Sequence, residues 1–113
     1  MNADDFKRRT KEFALRIIRL VESLPNTRTA STIGNQLIRC GTSVGANYRA
    51  ASRARSEADF IAKLGIVEED ADESMFWIEL LIETEIVKKE RLDSLLQEAN
   101  EIVAMTVSSI NTA

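Results

Sequence analysis

The sequence predicts an all-α fold, an antiparallel up-down-up-down four-helix bundle formed as one domain over residues 1–113. Three observations carry this. Apolar residues recur every three or four positions over four long stretches, the spacing of one face of a helix. A single Pro and four Gly in 113 residues leave those stretches almost uninterrupted. The connections between them are short, which favours antiparallel neighbours.

The first helix is expected over about 4–24. Phe6, Phe13, Ile17, Val21 and Leu24 form its inner stripe, while Arg8, Glu12 and Arg19 point away. Asp4 and Asp5 suit the positive end of the helix dipole, and Pro25 disfavours helical geometry at the residue before it. The second helix is expected over about 29–54, with Ile33, Leu37, Val44, Tyr48 and Ala51 inward. Gly34, Gly41, Gly45 and Ser52 align beside that stripe. Glycine costs roughly 1 kcal/mol relative to alanine in a helix interior, so close approach of another backbone should offset it. This helix should be enclosed on most sides, and the glycines are expected at a contact between subunits.

The third helix, over about 56–85, carries two apolar stripes. Phe60, Leu64, Val67, Ala71, Met75, Ile78 and Ile82 share one side. Ala62, Ile66, Phe76, Trp77 and Leu80 lie nearly opposite, with Glu69 and Glu73 among them. One core needs only one stripe, so the second is expected at a subunit interface, with Phe76 and Trp77 as aromatic anchors. Arg39, Arg49 and Arg53 of a neighbouring subunit are the expected partners of Glu69 and Glu73. Ser56 and Asp59 approximate a capping box at the start. The fourth helix, over about 89–110, turns Leu92, Leu95, Leu96, Ala99, Val103 and Ile110 inward and Gln97, Glu98, Glu101 and Ser108 outward.

Charge is unevenly divided under a net −3. Residues 1–55 hold eleven Lys and Arg against four acids, and the remainder holds four against fourteen. Arg8, Arg9, Lys11, Arg16 and Arg19 on the first helix form the candidate nucleic-acid surface, since neutralising phosphates needs only clustered cations. No groove-reading or base-stacking motif accompanies them, so any such binding would be non-specific. The alternative is basic helices packing beside acidic ones.

The absence of histidine removes Ser-His-Asp and Cys-His chemistry and the Glu-x-x-His di-iron site of ferritin-like bundles. Cys40, with no base beside it, is expected to be a buried inert thiol. Within the run Glu68 to Glu73, the pair Glu69 and Asp72 or Glu69 and Glu73 could hold Mg²⁺ with waters. With Glu98 and Glu101 as a second pair, this gives an alternative reading as a carboxylate-metal nucleotide pyrophosphohydrolase, although no phosphate-binding loop accompanies them. No apolar run approaches the ~18 residues needed to span a bilayer. The polar start, Met1 to Lys11, and one cysteine make a cytoplasmic location the expectation.

At Gln36-Leu37-Ile38-Arg39, Thr42-Ser43-Val44-Gly45-Ala46-Asn47, Arg53 to Leu64, and Glu73 to Leu81 with its Trp77, the chain resembles the 23S rRNA-intervening-sequence protein family. The likeness spans Phe6 to Ile110. It implies a left-handed antiparallel bundle that assembles into a cyclic homopentamer, with no catalytic residues, metal or cofactor. The family also resembles accessory proteins of diversity-generating retroelements, which bind nucleic acid. Many members follow Ala-Asn with an acid and a glycine, whereas Tyr48-Arg49-Ala50-Ala51 stays helical here. The expected role is a non-enzymatic, homo-oligomeric binding or scaffold protein with RNA or DNA as leading ligand. The other non-enzymatic reading is an assembly module for another bacterial protein.

Overall fold

A computed structural model describes residues 2–113. Four helices follow in order: α1 (Ala3–Glu22), α2 (Arg28–Ala51), α3 (Glu57–Glu83) and α4 (Lys89–Thr112). Each packs on its sequence neighbour and α4 closes on α1, the loosest of the four seams. The result is a bundle measuring 44 × 21 × 19 Å.

Capping side chains set three of the four starts. Asn2, Thr27 and Ser56 accept from the backbone N–H groups of Asp5, Ala30 and Asp59. Such caps satisfy donors that the first turn leaves free. The Ser56 cap is the one expected from sequence, and Lys88 at the start of α4 provides no side-chain cap.

The first three helices end two or three residues earlier than expected, each in a tightened turn. Leu24 N–H reaches Val21 O ahead of Pro25, and Arg53 and Ala54 reach Ala50 and Ala51. Arg53 therefore lies beyond α2. After α3, Glu85 takes a left-handed φ of 62° and Val87 N–H returns to Leu81 O at 3.2 Å. This reversal buries Val87 under the bundle end.

The core is one cluster drawn from all four helices, with Phe13, Ile17, Leu37, Val44, Leu64, Val67, Ile78, Leu81 and Ile102 fully buried. Phe6 stacks on Tyr48 with ring centroids 4.2 Å apart. Three buried hydroxyls each satisfy themselves on a carbonyl one turn back: Thr10 on Phe6, Ser74 on Asp70 and Thr106 on Ile102. The inner face of α4 is rotated from the expected one. Ile102 and Thr106 lie fully inside, whereas Leu96, Val103 and Ile110 are half-buried. A self-satisfied threonine at the C-terminal end of that face hides its last turn from an apolar pattern.

The glycines of α2 meet α1 of the same chain. A Cβ on Gly34 would stand 3.0 Å from Val21, and one on Gly41 would stand 2.8 Å from Ile17. At Gly45 the neighbour is the Thr10 carbonyl oxygen, 3.2 Å away. The close approach inferred from sequence is therefore present, but it joins α1 to α2. Gly34 and Gly41 are buried there against α1 of their own chain.

Candidate functional site

Two surfaces carry the residues singled out by sequence, the outer face of α3 and the outer side of α1. On α3, the second apolar stripe is divided by the bundle itself. Trp77 and Leu80 are half-buried and lean on the core. Ala62 and Glu69 are exposed, Ile66 is 37% exposed and Phe76 is 51% exposed. Phe76 meets Trp77 edge-on with centroids 5.0 Å apart. The half that the chain leaves uncovered carries Ala62 and Ile66 and, ten residues further on, Phe76, with Glu69 and Asp72 exposed between them.

Polar bonds hold the α2–α3 seam beneath that half. Ser43 donates to Asp70 at 2.5 Å, Asn47 donates to the Ser43 hydroxyl at 2.7 Å, and the Ser74 hydroxyl oxygen lies 3.3 Å from the Cys40 sulfur. This antiparallel register sets Arg39 opposite Glu73, and the two form an ion pair. Trp77 Nε1 donates to the same Glu73 carboxylate at 3.0 Å. Glu73 was expected to pair with an arginine of a neighbouring subunit, and within this chain its partner is Arg39. Glu69, Arg49 and Arg53 are exposed and have no ion pair among the described residues. Cys40 is fully buried, and its thiol is pushed up first by that burial.

The five cations expected as one nucleic-acid surface occupy separate places. Arg9 bridges the α1–α4 seam, donating to Glu98 at 2.7 and 3.0 Å and to Glu101 at 2.9 Å. Those bonds raise the Arg9 pKa and, with Gln97, hold the Glu101 carboxyl below its ordinary value. Glu98 and Glu101 were expected to point outward; Glu101 is exposed and Glu98 half-buried, and both reach Arg9 on α1. Arg16 donates to Ser94 across the same seam at 3.0 Å. Arg8 pairs with Asp5 one turn back, at 3.2 Å. Arg19, with Arg16 and Arg91, borders an opening at the end of that seam. Lys11 turns to the other side, toward α2. A helix surface carries its residues around a full circle, so five cations in twelve positions need not converge.

The carboxylates do not converge either. Glu98 and Glu101 are tied to α1, while Glu73 is tied to α2 on the far side of the bundle. Among the described residues no group of three or more His, Cys, Asp or Glu is placed to hold a metal ion. No helix there is long and apolar enough to cross a membrane.

One feature had no expectation from sequence. Lys7, Lys11, Ala14, Thr42, Gly45, Ala46 and Arg49 line a groove of about 370 Å³ on the outer α1–α2 seam. Its sequence signal is the Lys7–Lys11 spacing of one helical turn, facing the small residues Gly45 and Ala46.

The model of the family described as 23S rRNA-intervening sequence protein matches residues 4–108. A crystal structure of a protein with unknown function from the S23 ribosomal protein family of Bacteroides thetaiotaomicron is 40% identical. The match covers 98% of this chain and 99% of that one, with a TM-score of 0.91. No curated protein matches.

Proposed function

Because the chain belongs to the 23S rRNA-intervening sequence protein family, we propose that it works as a non-enzymatic, self-assembling helical scaffold in the cytoplasm. The observation that carries this is the wet half of α3, where Ile66 and Phe76 stay exposed beside Trp77. Single exposed apolar residues need no explanation, whereas an aromatic and an isoleucine on one strip mark a contact surface. A ring of identical subunits needs two different patches that fit each other. The chain offers a second one in Leu15, Ile18 and Ile38, all exposed, around the outer α1–α2 seam. Acids surround the first patch (Glu69, Asp72, Glu79) and bases flank the second (Arg19, Arg39), so the two are matched in charge as well. Five is the subunit number that the family resemblance implies.

Sedimentation velocity tests this reading. The wild-type chain should sediment as an assembly, and Ile66→Glu with Phe76→Glu should reduce it to single subunits that keep their helical content. An assembly unaffected by both charges would remove α3 from the contact.

Nucleic acid is the second reading. It is favoured by Arg19, exposed beside Arg16 and Arg91 with no carboxylate lining the opening, and by the words rRNA and ribosomal in the descriptions of the family and the similar structure. The resemblance to retroelement accessory proteins implies the same ligand class. Filter retention of RNA should fall steeply with salt if phosphates are being neutralised. No retention at low salt would leave the scaffold role alone.

A further inference from the structure

We propose that the outer α1–α2 groove is an anion site that takes a phosphate group, and the proposal rests on the groove staying open beside the assembly patch of Leu15, Ile18 and Ile38 on the same seam. Three observations converge. Lys7 and Lys11 stand one helical turn apart on α1, and α2 runs antiparallel beside them, bringing Arg49 to the same groove. The approach of Gly45 to the Thr10 carbonyl, 3.2 Å from where a Cβ would stand, draws the two helices together. With Ala14, Gly45 and Ala46 as lining, the cations surround a space instead of filling it.

Charge adds to these. No carboxylate lines the groove, and Asp4, one turn before Lys7, is not part of its wall. Lys7, Lys11 and Arg49 make no ion pair among the described residues, while Arg8, Arg9, Arg39 and Lys89 each do. Three like charges in one groove repel each other unless an anion enters.

The lining also selects the kind of anion. The Thr42 hydroxyl is committed to the Ile38 carbonyl at 2.5 Å, so the cations do the recognising. No aromatic lines the groove to stack a base, which leaves the phosphate and not the nucleobase as the recognised part. A multiply charged phosphate answers three cations better than a single carboxylate, and the Arg49 fork can take two of its oxygens. The volume of about 370 Å³ lies at the small end of ligand pockets.

Calorimetric titration of the wild-type protein with inorganic pyrophosphate at low ionic strength tests the site. Saturable binding is expected. Lys7→Gln with Arg49→Gln should weaken it about tenfold or more, the loss of charge-assisted contacts, with melting temperature and assembly mass unchanged. Lys89→Gln, at the start of α4 and already paired with Asp93, should leave it intact. A competition arm names the source. Displacement of pyrophosphate by a short single-stranded RNA assigns the groove to a nucleic-acid backbone. Binding that RNA does not displace assigns it to a small phosphorylated molecule. Absence of saturable binding, or equal binding by the Lys7 and Arg49 variant, overturns the proposal. So does a variant that alters assembly mass, because the cations would then be meeting acids of a neighbouring copy. The scaffold reading fails by a different result, a wild-type chain that does not assemble.

Discussion

Gly41 and Gly65 both sit inside helices, yet alanine at each has an opposite expected effect. A Cβ at Gly65 meets nothing within 4 Å, so Gly65→Ala should stabilise the fold by about 1 kcal/mol through helix propensity alone. At Gly41 the added carbon would stand 2.8–3.2 Å from three carbons of Ile17, a branched side chain held at its own Cβ. Overpacking of this kind costs about 1–3 kcal/mol, so Gly41→Ala should be destabilising despite the helical gain. Urea unfolding of the two variants checks both signs. Cys40 offers another residue-scale test. Burial raises its pKa and removes it from solvent. A disulfide reagent should label it only as fast as the chain opens, and rapid labelling of the native protein would contradict its placement. The lack of any histidine made the thiol's inertness legible, while its burial is shown by the structure. The glycines were legible as sites of close approach, but spacing along one helix does not say whether the approaching backbone belongs to the same chain.

Among the elements, α1 and α4 depend most on polar ties. Arg9 bridges them through Glu98 and Glu101, and Arg9→Ala should cost about 1.5–3 kcal/mol, the range for hydrogen bonds to charged groups. The pH dependence follows from Glu101. Its carboxyl is lowered from 4.5 by the Arg9 bond and then by Gln97. A carboxyl lowered in the folded state contributes fully above 4.5 and loses its contribution as pH falls through the folded value. The stability of the wild type relative to Glu101→Gln should therefore be greatest near neutrality and shrink below about pH 4.5. Midpoints of urea unfolding measured for both proteins between pH 7 and 3, on the order of one-unit steps, read this directly. A constant difference would mean that the bond does not form in solution. Helix number and order were legible because the apolar period persists through each element. The rotation of α4 was not, because Thr106 lies fully inside while counting as polar, and the pairing of Glu98 with Arg9 joins residues far apart in sequence.

For the whole molecule, the uneven charge of the sequence becomes a division in space. The outer α1–α2 seam presents cations, α3 presents acids around an apolar strip, and the two faces adjoin across α2. The two stripes of α3 announced this arrangement, since a helix with one core to line needs only one. Sequence did not reveal that the bundle would cover Trp77 and Leu80 itself and leave Ala62, Ile66 and Phe76 outside. Nor did it reveal the α1–α2 groove, lined by residues of two helices far apart in sequence. Native mass spectrometry of the wild-type chain tests the central claim, that α3 meets a second copy. The expected spectrum shows one closed species at a whole multiple of the 12.6 kDa subunit, lost when Ile66 and Phe76 carry charge. A spectrum showing only the single subunit would contradict it.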